Sequence, residues 1–205
     1  MLQIGKYNKL EISRITASGA VLKTELGDAL LPLRLLPDTA EPGTLLEVFV
    51  YVDSDNRLTA TTRRPRATVD DFALLKVIET TTVGSFLDWG LEKDLLLPFG
   101  EQIEPVRRGD MVLVRIYLHS SGRIAATAKL DKFILPGDNE LSQGDEVKLI
   151  VYAFTDLGVK VVIINKYGGL IFNTELILKS KYGEQRQGYV RKIREDGKID
   201  ITLRE

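Results

Sequence analysis

The chain repeats itself at an interval of about 66 residues, and this internal similarity limits the possible folds more than any other feature. The segment SGAVLKTELGDALLPL at 18–33 is similar to VGSFLDWGLEKDLLLPF at 83–99. PGTLLEVFVYVDSDNRLTATT at 42–62 is similar to RGDMVLVRIYLHSSGRIAATA at 108–128, at the same distance along the chain. Two similarities that keep one order and one spacing indicate a duplicated structural unit.

A third and more divergent copy follows. LGVKVVIINKYGGLIF at 157–172 corresponds to the first block, and GYVRKIREDGKIDITLR at 188–204 corresponds to the second. Short polar links, interrupted by Pro65 and by Pro136 with Gly137, separate the copies, so we expect the units to hold a limited range of orientations. The sequence therefore predicts three domains, at 1–64, 67–132 and 140–205.

Each copy has the pattern of a β unit. VLVRIYL and KIDITLR follow the two-residue period of a half-buried strand. The turn sequences DSDNR, SSGR and EDGK join successive strands, and a bend or bulge is expected at Gly19, Gly84 and Gly158. Five strands with one short helical turn between the third and the fourth favour a closed barrel, since closure removes exposed sheet edges. We therefore predict an all-β protein of three tandem five-stranded barrels.

Two short helical features are also expected. DDFALLKVI, at 70–78, is predicted to start with a short helix in the first link. In GGLIFNTEL, at 168–176, Asn173 is placed to cap a helical turn after a strand that ends at Phe172. Phe172 is then either one more core side chain or an aromatic ring offered to a ligand.

The composition excludes several kinds of chemistry. The 205 residues contain no cysteine, which excludes disulfides, thiolate metal sites and a cysteine nucleophile. His119 is the single histidine and lies in a turn, where a surface histidine is more common than a general base. No Gly-x-x-x-x-Gly-Lys phosphate loop occurs. We therefore expect no catalytic residues, no metal, no cofactor and no enzymatic activity.

Location and charge are less informative. The N-terminus lacks the pattern of a signal peptide and no apolar run is long enough to span a bilayer, so we expect a cytoplasmic protein without a membrane partner. The net charge of −1 gives no bulk argument for a polyanion partner. The charge distribution along the chain is uneven, however. The segment from Lys160 to Lys198 contains nine basic and four acidic residues, whereas 67–134 contains eight basic and ten acidic residues.

The repeated blocks resemble the S1 RNA-binding domain, an OB-fold barrel. GGLIFNTEL looks like the family's Gly-Leu-Val-His-Ile-Ser-Glu-Leu stretch, and GKIDITLR looks like its closing Gly-Arg-Ile-Ser-Leu-Ser. With LLPL and LLPF in the first two units, the arrangement more closely resembles the bacterial conserved virulence factor B family of YitL-like S1 proteins. Members usually carry a winged-helix domain after the third S1 unit; the sequence leaves open whether that domain is absent or the chain is a fragment.

The resemblance implies binding of single-stranded RNA and an influence on gene expression. OB barrels stack bases on exposed side chains of their middle strands, while nearby Lys and Arg neutralise phosphates. At the matching positions the first unit has Ser18, Val21 and Pro32, none of which can stack, so we interpret it as structural or protein-facing. The second unit keeps Phe86, with Arg123 at its last turn, and a single ring there is explained equally by packing.

The third unit is the predicted main RNA contact. Phe172 occupies the stacking position at the end of the third strand, and the resemblance places Lys160, Arg194 and Lys198 around it. Lys160 stands where an aromatic is usual and Arg194 where an acid is usual, which predicts weak sequence selectivity and strong salt dependence. Four further residues extend the predicted surface: Tyr152, for which a core position is an equal alternative, Lys166, Tyr167 and Arg191.

Two alternatives stay open. In the first alternative, the barrels form a protein-interaction scaffold that has lost RNA binding. The near-zero net charge and the absence of stacking residues in the first unit favour this alternative. Alternatively, the chain is an accessory factor of the ribosome or of RNA-processing machinery, which would combine both kinds of contact. The oligomeric state is not predicted.

Overall fold

The computed structural model describes residues 1–173 and 180–204, in which fifteen β-strands form three consecutive groups of five. The prediction of an all-β protein with three tandem five-stranded barrels is confirmed. The turn expected after Asn173 lies outside the described residues. The Asn173 side chain itself donates a hydrogen bond to the carbonyl of Asp156 at 2.7 Å.

The first barrel is closed, in the order β1-β2-β3-β5-β4. All neighbours are antiparallel except β3 and β5, which run parallel where Leu30 lies beside Thr59. A 3-10 turn at Leu33–Leu35 follows β3, as expected for the connection between the third and fourth strands. Its strands are β1 Tyr7–Thr16, β2 Gly19–Thr24, β3 Gly27–Pro32, β4 Leu45–Val52 and β5 Leu58–Thr61.

The second unit repeats this arrangement as a five-stranded sheet in the order β10-β9-β6-β7-β8. Its two outer strands, β8 and β10, lie side by side and bring the sheet round into a barrel. Two 3-10 turns, at Phe99–Glu101 and Asp131–Phe133, follow β8 and β10. Its strands are β6 Phe72–Thr80, β7 Gly84–Asp88, β8 Leu95–Pro98, β9 Met111–Leu118 and β10 Ile124–Thr127.

The third barrel closes in the same order as the first, β11-β12-β13-β15-β14. Its interior is filled by alternate residues, such as Val159, Val161 and Ile163 of β12, which are at most 3% exposed. The parallel pair β13–β15 places Leu170 beside Asp200. Its strands are β11 Glu146–Phe154, β12 Gly158–Ile163, β13 Tyr167–Phe172, β14 Gln185–Ile193 and β15 Ile199–Thr202.

A glycine begins the second strand of each barrel because the third strand passes too close for a side chain. A Cβ at Gly19, Gly84 or Gly158 would lie 2.0, 2.5 or 2.1 Å from a backbone carbonyl oxygen of that strand. The register irregularity lies in the preceding strand, since β1, β6 and β11 each contain one shift. Such a bulge bends a long first strand so that it pairs with both neighbours around the barrel.

The prediction of a short helix at the start of 70–78 is wrong. Phe72 begins β6 instead, and the whole of 70–78 is described without a helix. Phe72 is 2% exposed because it packs between the second and third barrels. Burial of this ring outweighs any local helical preference. Asp71 accepts hydrogen bonds from the backbone N–H and hydroxyl of Thr68 and so stabilises the turn before the strand.

A buried aromatic cluster joins the first two barrels. Phe49 of β4 points away from its own barrel and packs edge-on against Trp89 of the second, with centroids 5.6 Å apart and planes at 83°. Tyr7 and Tyr51 flank the same ring at 5.9 and 6.3 Å. The first link therefore connects two barrels that are in direct contact.

A second buried cluster joins the second and third barrels. Phe72, Leu113 and Leu130 come from the second unit and its following turn, while Ile150 and Val162 come from the third. All five are at most 8% exposed. The three barrels are thus held together by buried contacts as well as by the chain that links them.

Candidate nucleic-acid interface

The third barrel presents an outward row of side chains on its middle strands. Along β13, Tyr167 and Ile171 are fully buried, while Leu170 and Phe172 are half-buried on the opposite face. Phe172 is the last residue of the strand and lies opposite Gly158 of β12, which has no side chain to cover the ring. The ring therefore lies on the outer wall of the barrel rather than in its core.

Arg194 covers part of this wall from the turn between β14 and β15. Its guanidinium carbon lies 5.7 Å from the centroid of the Phe172 ring. The same group bonds Asp200, with Nη2 3.0 Å from one carboxylate oxygen and Nε 3.2 Å from the other. Asp200 is 8% exposed, so the arginine shields it from water. The pair holds Arg194 in place and offsets much of its charge.

The two predicted lysines differ in their ion pairing and in their position relative to Phe172. Lys160 is exposed on β12, opposite Leu170 and one outward position from Gly158. It makes no ion pair with any residue that the structure describes. Lys198 is also exposed, and its Nζ is 3.7 Å from an Asp196 oxygen, a solvent-exposed pair that contributes little. Lys160 is therefore available to a ligand beside Phe172, whereas Lys198 precedes Ile199, the partner of Gly169, and lies toward the other end of β13.

Two of the predicted surface residues, Lys166 and Tyr167, do not lie on the outer wall with Phe172. Tyr167 was predicted to extend the RNA surface, but its ring is fully buried and its hydroxyl donates to Asp138 and Glu140, both at 2.6 Å. Burial, reinforced by these two acceptors, raises the pKa of Tyr167 to about 12. Lys166 pairs with the same two carboxylates. This cluster, which we call the linker latch, fixes the segment before β11 and does not join the Phe172 wall.

Other side chains on the third barrel were missed or lie farther along it. Arg191 is exposed at the irregularity of β14. Phe154 and Leu157, at the two sides of the β11–β12 turn, are 55% and 69% exposed. No resemblance singled out Phe154, which ends β11 four residues before Gly158. This end of the barrel therefore carries an exposed aromatic ring that the resemblance did not indicate.

The second barrel places its predicted residues in a separate groove of about 500 Å³. Phe86 of β7 is half-buried in this groove, and Arg123 reaches it from the β9–β10 turn. Trp89 lines it too, but is only 4% exposed and donates its indole N–H to the carbonyl of Lys93 at 2.7 Å. Trp89 is therefore part of the core, and Phe86 is the accessible ring.

The first barrel has no comparable wall. Its turn arginine, Arg57, is held by Asp53 and Asp55, each at 3.1 Å. Backbone and side-chain hydrogen bonds lower the pKa of Asp53 despite the opposing effect of burial. Val21 is nearly buried and Leu30 is partly exposed, so the face offers aliphatic side chains where a stacking ring would be needed.

Neither a metal centre nor a membrane span is found in 1–173 and 180–204. No group of three or more acidic or histidine side chains there could hold a metal ion. No helix in these ranges is long and apolar enough to cross a membrane.

Comparison with known proteins identifies the family to which the repeated units belong. The model of the S1 domain family matches residues 4–63 and 72–129, which is more than half of the chain. The chain resembles YitL of Bacillus subtilis, with 26% identity over 208 residues, covering 97% of this chain and 70% of that protein. It also resembles conserved virulence factor B of Staphylococcus epidermidis, with 24% identity over 193 residues, covering 88% of this chain and 64% of that protein.

One solved structure supports the same fold. A multidomain protein with nucleic acid binding domains from Streptococcus pneumoniae superimposes with a TM-score of 0.54 at 21% identity, covering 98% of this chain and 74% of that one. The chain spans 70% of YitL, 64% of the virulence factor from S. epidermidis, and 53% of its counterpart in Staphylococcus aureus.

Proposed function

Because this chain belongs to the S1 domain family, we propose that it binds single-stranded RNA and that its third barrel makes the main contact. We further propose that it acts in the cytoplasm, influences gene expression through the bound RNA, and catalyses no reaction itself. The observation that carries the proposal is the position of Phe172, an aromatic ring on the outer wall, with Lys160 exposed on the adjacent strand and without an ion pair among the described residues.

Stacking supplies the sequence-tolerant part of binding. A base laid on Phe172 would gain about 1–3 kcal/mol, because every base has a face that can stack on a ring. Gly158 opposite the ring leaves room for the base. Arg194 is already held by Asp200, so little side-chain freedom is lost when a nucleotide packs against its guanidinium.

Charge supplies the salt-dependent part. Since Asp200 offsets Arg194, the excess positive charge of the wall comes from Lys160 and Lys198. Two phosphate contacts on a single strand give a slope of about −1.4 in log K against log salt. The site is therefore expected to bind RNA with little base preference, as the third unit's departures from the S1 pattern indicate.

The test compares single-stranded and double-stranded RNA by fluorescence anisotropy at low and high salt. We expect the single strand to bind more tightly, and its affinity to fall as salt rises. A labelled single strand that does not bind even at low salt contradicts the proposal.

A protein-interaction scaffold is the second candidate, and the first barrel favours it. Leu26, Leu33 and Leu45 are 65%, 51% and 66% exposed on a barrel whose turn arginine is neutralised. The same anisotropy measurement decides between the two, since a scaffold without RNA binding would give no change with either RNA. Ribosomal or RNA-processing partners would combine both activities, with this barrel facing protein.

A further inference from the structure

We propose that the groove between the first two barrels is a composite pocket for one unpaired nucleobase, with guanine preferred. This inference rests on the proposed RNA-binding function but concerns a different surface from the Phe172 wall. Most of the groove comes from the second barrel, and the end of β4 with its following turn completes it. The first-barrel contributors are Tyr51, Val52 and Ser54.

The two turns that border the groove are in contact. Arg123 of the second barrel donates from Nη2 to the carbonyl of Ser54 in the first, at 3.0 Å. A Cβ on Gly122 would lie 4.0 Å from a Val52 methyl, so the turn backbones pass close to each other. The first barrel therefore completes a groove that the second barrel mostly forms.

Aromatic rings supply the walls. Tyr51 and Tyr117 occupy the same position in their repeats, and both line the groove, together with Phe86. Tyr51 stacks on the buried Phe49, with planes at 28°, and Phe49 packs on Trp89. The Tyr51 wall is thus supported from behind by the inter-barrel core, which favours flat, rigid ligands. A volume of about 500 Å³ suits a nucleotide-sized group.

Asp94 supplies the polar selectivity. It lines the groove, is partly buried, and makes no hydrogen bond or ion pair within the described residues. Burial, with added repulsion from Asp88 and Glu79, raises its pKa, as expected of a carboxylate that lacks a donor. Guanine presents two adjacent N–H donors on one edge and matches a carboxylate, whereas uracil presents only one. Lys93 and Arg123, at the rim, would meet the flanking phosphates.

The experiment uses Trp89, the single tryptophan of the chain, which lines the groove and lies outside the third barrel. The probes are the trinucleotides UpGpU and UpUpU, titrated into the full chain while tryptophan emission is recorded. We expect both to change the emission and UpGpU to bind about tenfold more tightly, the discrimination expected of a paired donor–acceptor contact.

Two variants test the assigned roles. Asp94→Asn should remove most of the preference for UpGpU, and Tyr51→Leu should weaken both trinucleotides at least about fivefold, the effect of losing one stacking surface. Circular dichroism melting confirms that each variant is folded; Asp94→Asn touches no core contact and keeps the test valid if Tyr51→Leu is unstable. Phe172→Ala should leave both titrations unchanged.

The contrary results are distinct from failure of the proposed function. If neither trinucleotide changes the emission while longer RNA still binds and is weakened by Phe172→Ala, the composite pocket is rejected and the third-barrel proposal stands. If UpGpU and UpUpU bind equally, or Asp94→Asn keeps the preference, the guanine assignment is rejected. A folded Tyr51→Leu variant with wild-type affinity rejects the contribution of the first barrel.

Discussion

Replacing Phe172 with alanine separates RNA binding from a packing role. The change removes one stacking platform, which contributes about 1–3 kcal/mol and corresponds to a dissociation constant raised roughly 5- to 150-fold. The effect on stability should be smaller. A fully buried Phe→Ala change costs about 3–5 kcal/mol, whereas Phe172 is half-buried, faces Gly158 across the ladder and loses mainly its contact with Arg194. We therefore expect a loss of about 1–2 kcal/mol in the free energy of unfolding.

Affinity is measured by fluorescence anisotropy with a short labelled single strand, and stability by urea unfolding of the same preparations. Phe99→Ala is the matched control, because Phe99 is a 49% exposed phenylalanine in the turn after β8 and lies on the second barrel. The control should bind RNA as the wild type does. Two results would refute the reasoning: unchanged affinity in Phe172→Ala, or a stability loss as large as that of a core phenylalanine.

Three further predictions concern charge, the barrel junction and the linker latch. The double change Lys160→Ala and Lys198→Ala should reduce the salt slope of RNA binding by about 1.4, and an unchanged slope would remove both lysines from the site. Phe49→Ala should lower the free energy of unfolding by about 3–5 kcal/mol, measured by urea unfolding, because the ring is fully buried between two barrels; a loss below about 1 kcal/mol contradicts that packing. In the linker latch, the hydroxyl of Tyr167 lowers the pKa of Asp138, while Lys166 and then the same hydroxyl lower the pKa of Glu140. The stabilisation from the hydroxyl is therefore present above about pH 4 and is lost as the pH falls through the folded pKa values of the two carboxylates. Tyr167→Phe should therefore be less stable than wild type at neutral pH in thermal melts, with the difference shrinking below about pH 4, and a constant difference would contradict the coupling.

The repeat predicted the architecture because each unit keeps the residues that barrel closure needs. Gly19, Gly84 and Gly158 recur where the third strand approaches within about 2–2.5 Å of a would-be Cβ, and that steric demand is visible in sequence. The resemblance to tandem S1 units is confirmed by the family match. The prediction of a helix near Phe72 was wrong. The Phe72 ring is buried against the third barrel, and a contact between barrels leaves no local pattern in the sequence.

The candidate site was predictable only as far as strand alternation reaches. Strand alternation places the side chain of Phe172 outward. The same alternation places Tyr167, five residues earlier, inward, so the sequence already argued against Tyr167 as a surface residue. The pairing of Arg194 with Asp200 spans the β14–β15 turn and depends on the register of that hairpin, which includes an irregularity between Val190 and Lys192 that spacing does not reveal. The groove at Tyr51 could not be predicted, because residues of two barrels line it and the sequence does not give the arrangement of the barrels. The sequence indicated only that Tyr51 and Tyr117 occupy matching positions in their repeats.

The aromatic junction around Phe49 has a consequence for how this chain can be dissected. Cutting between the first two barrels would leave Phe49 and the indole of Trp89 facing water on the separated pieces. A single barrel expressed alone would then expose an apolar patch that promotes self-association, and the resulting assembly could be mistaken for a natural oligomer. Experiments that assign activities to individual barrels are therefore better done with point changes in the intact chain.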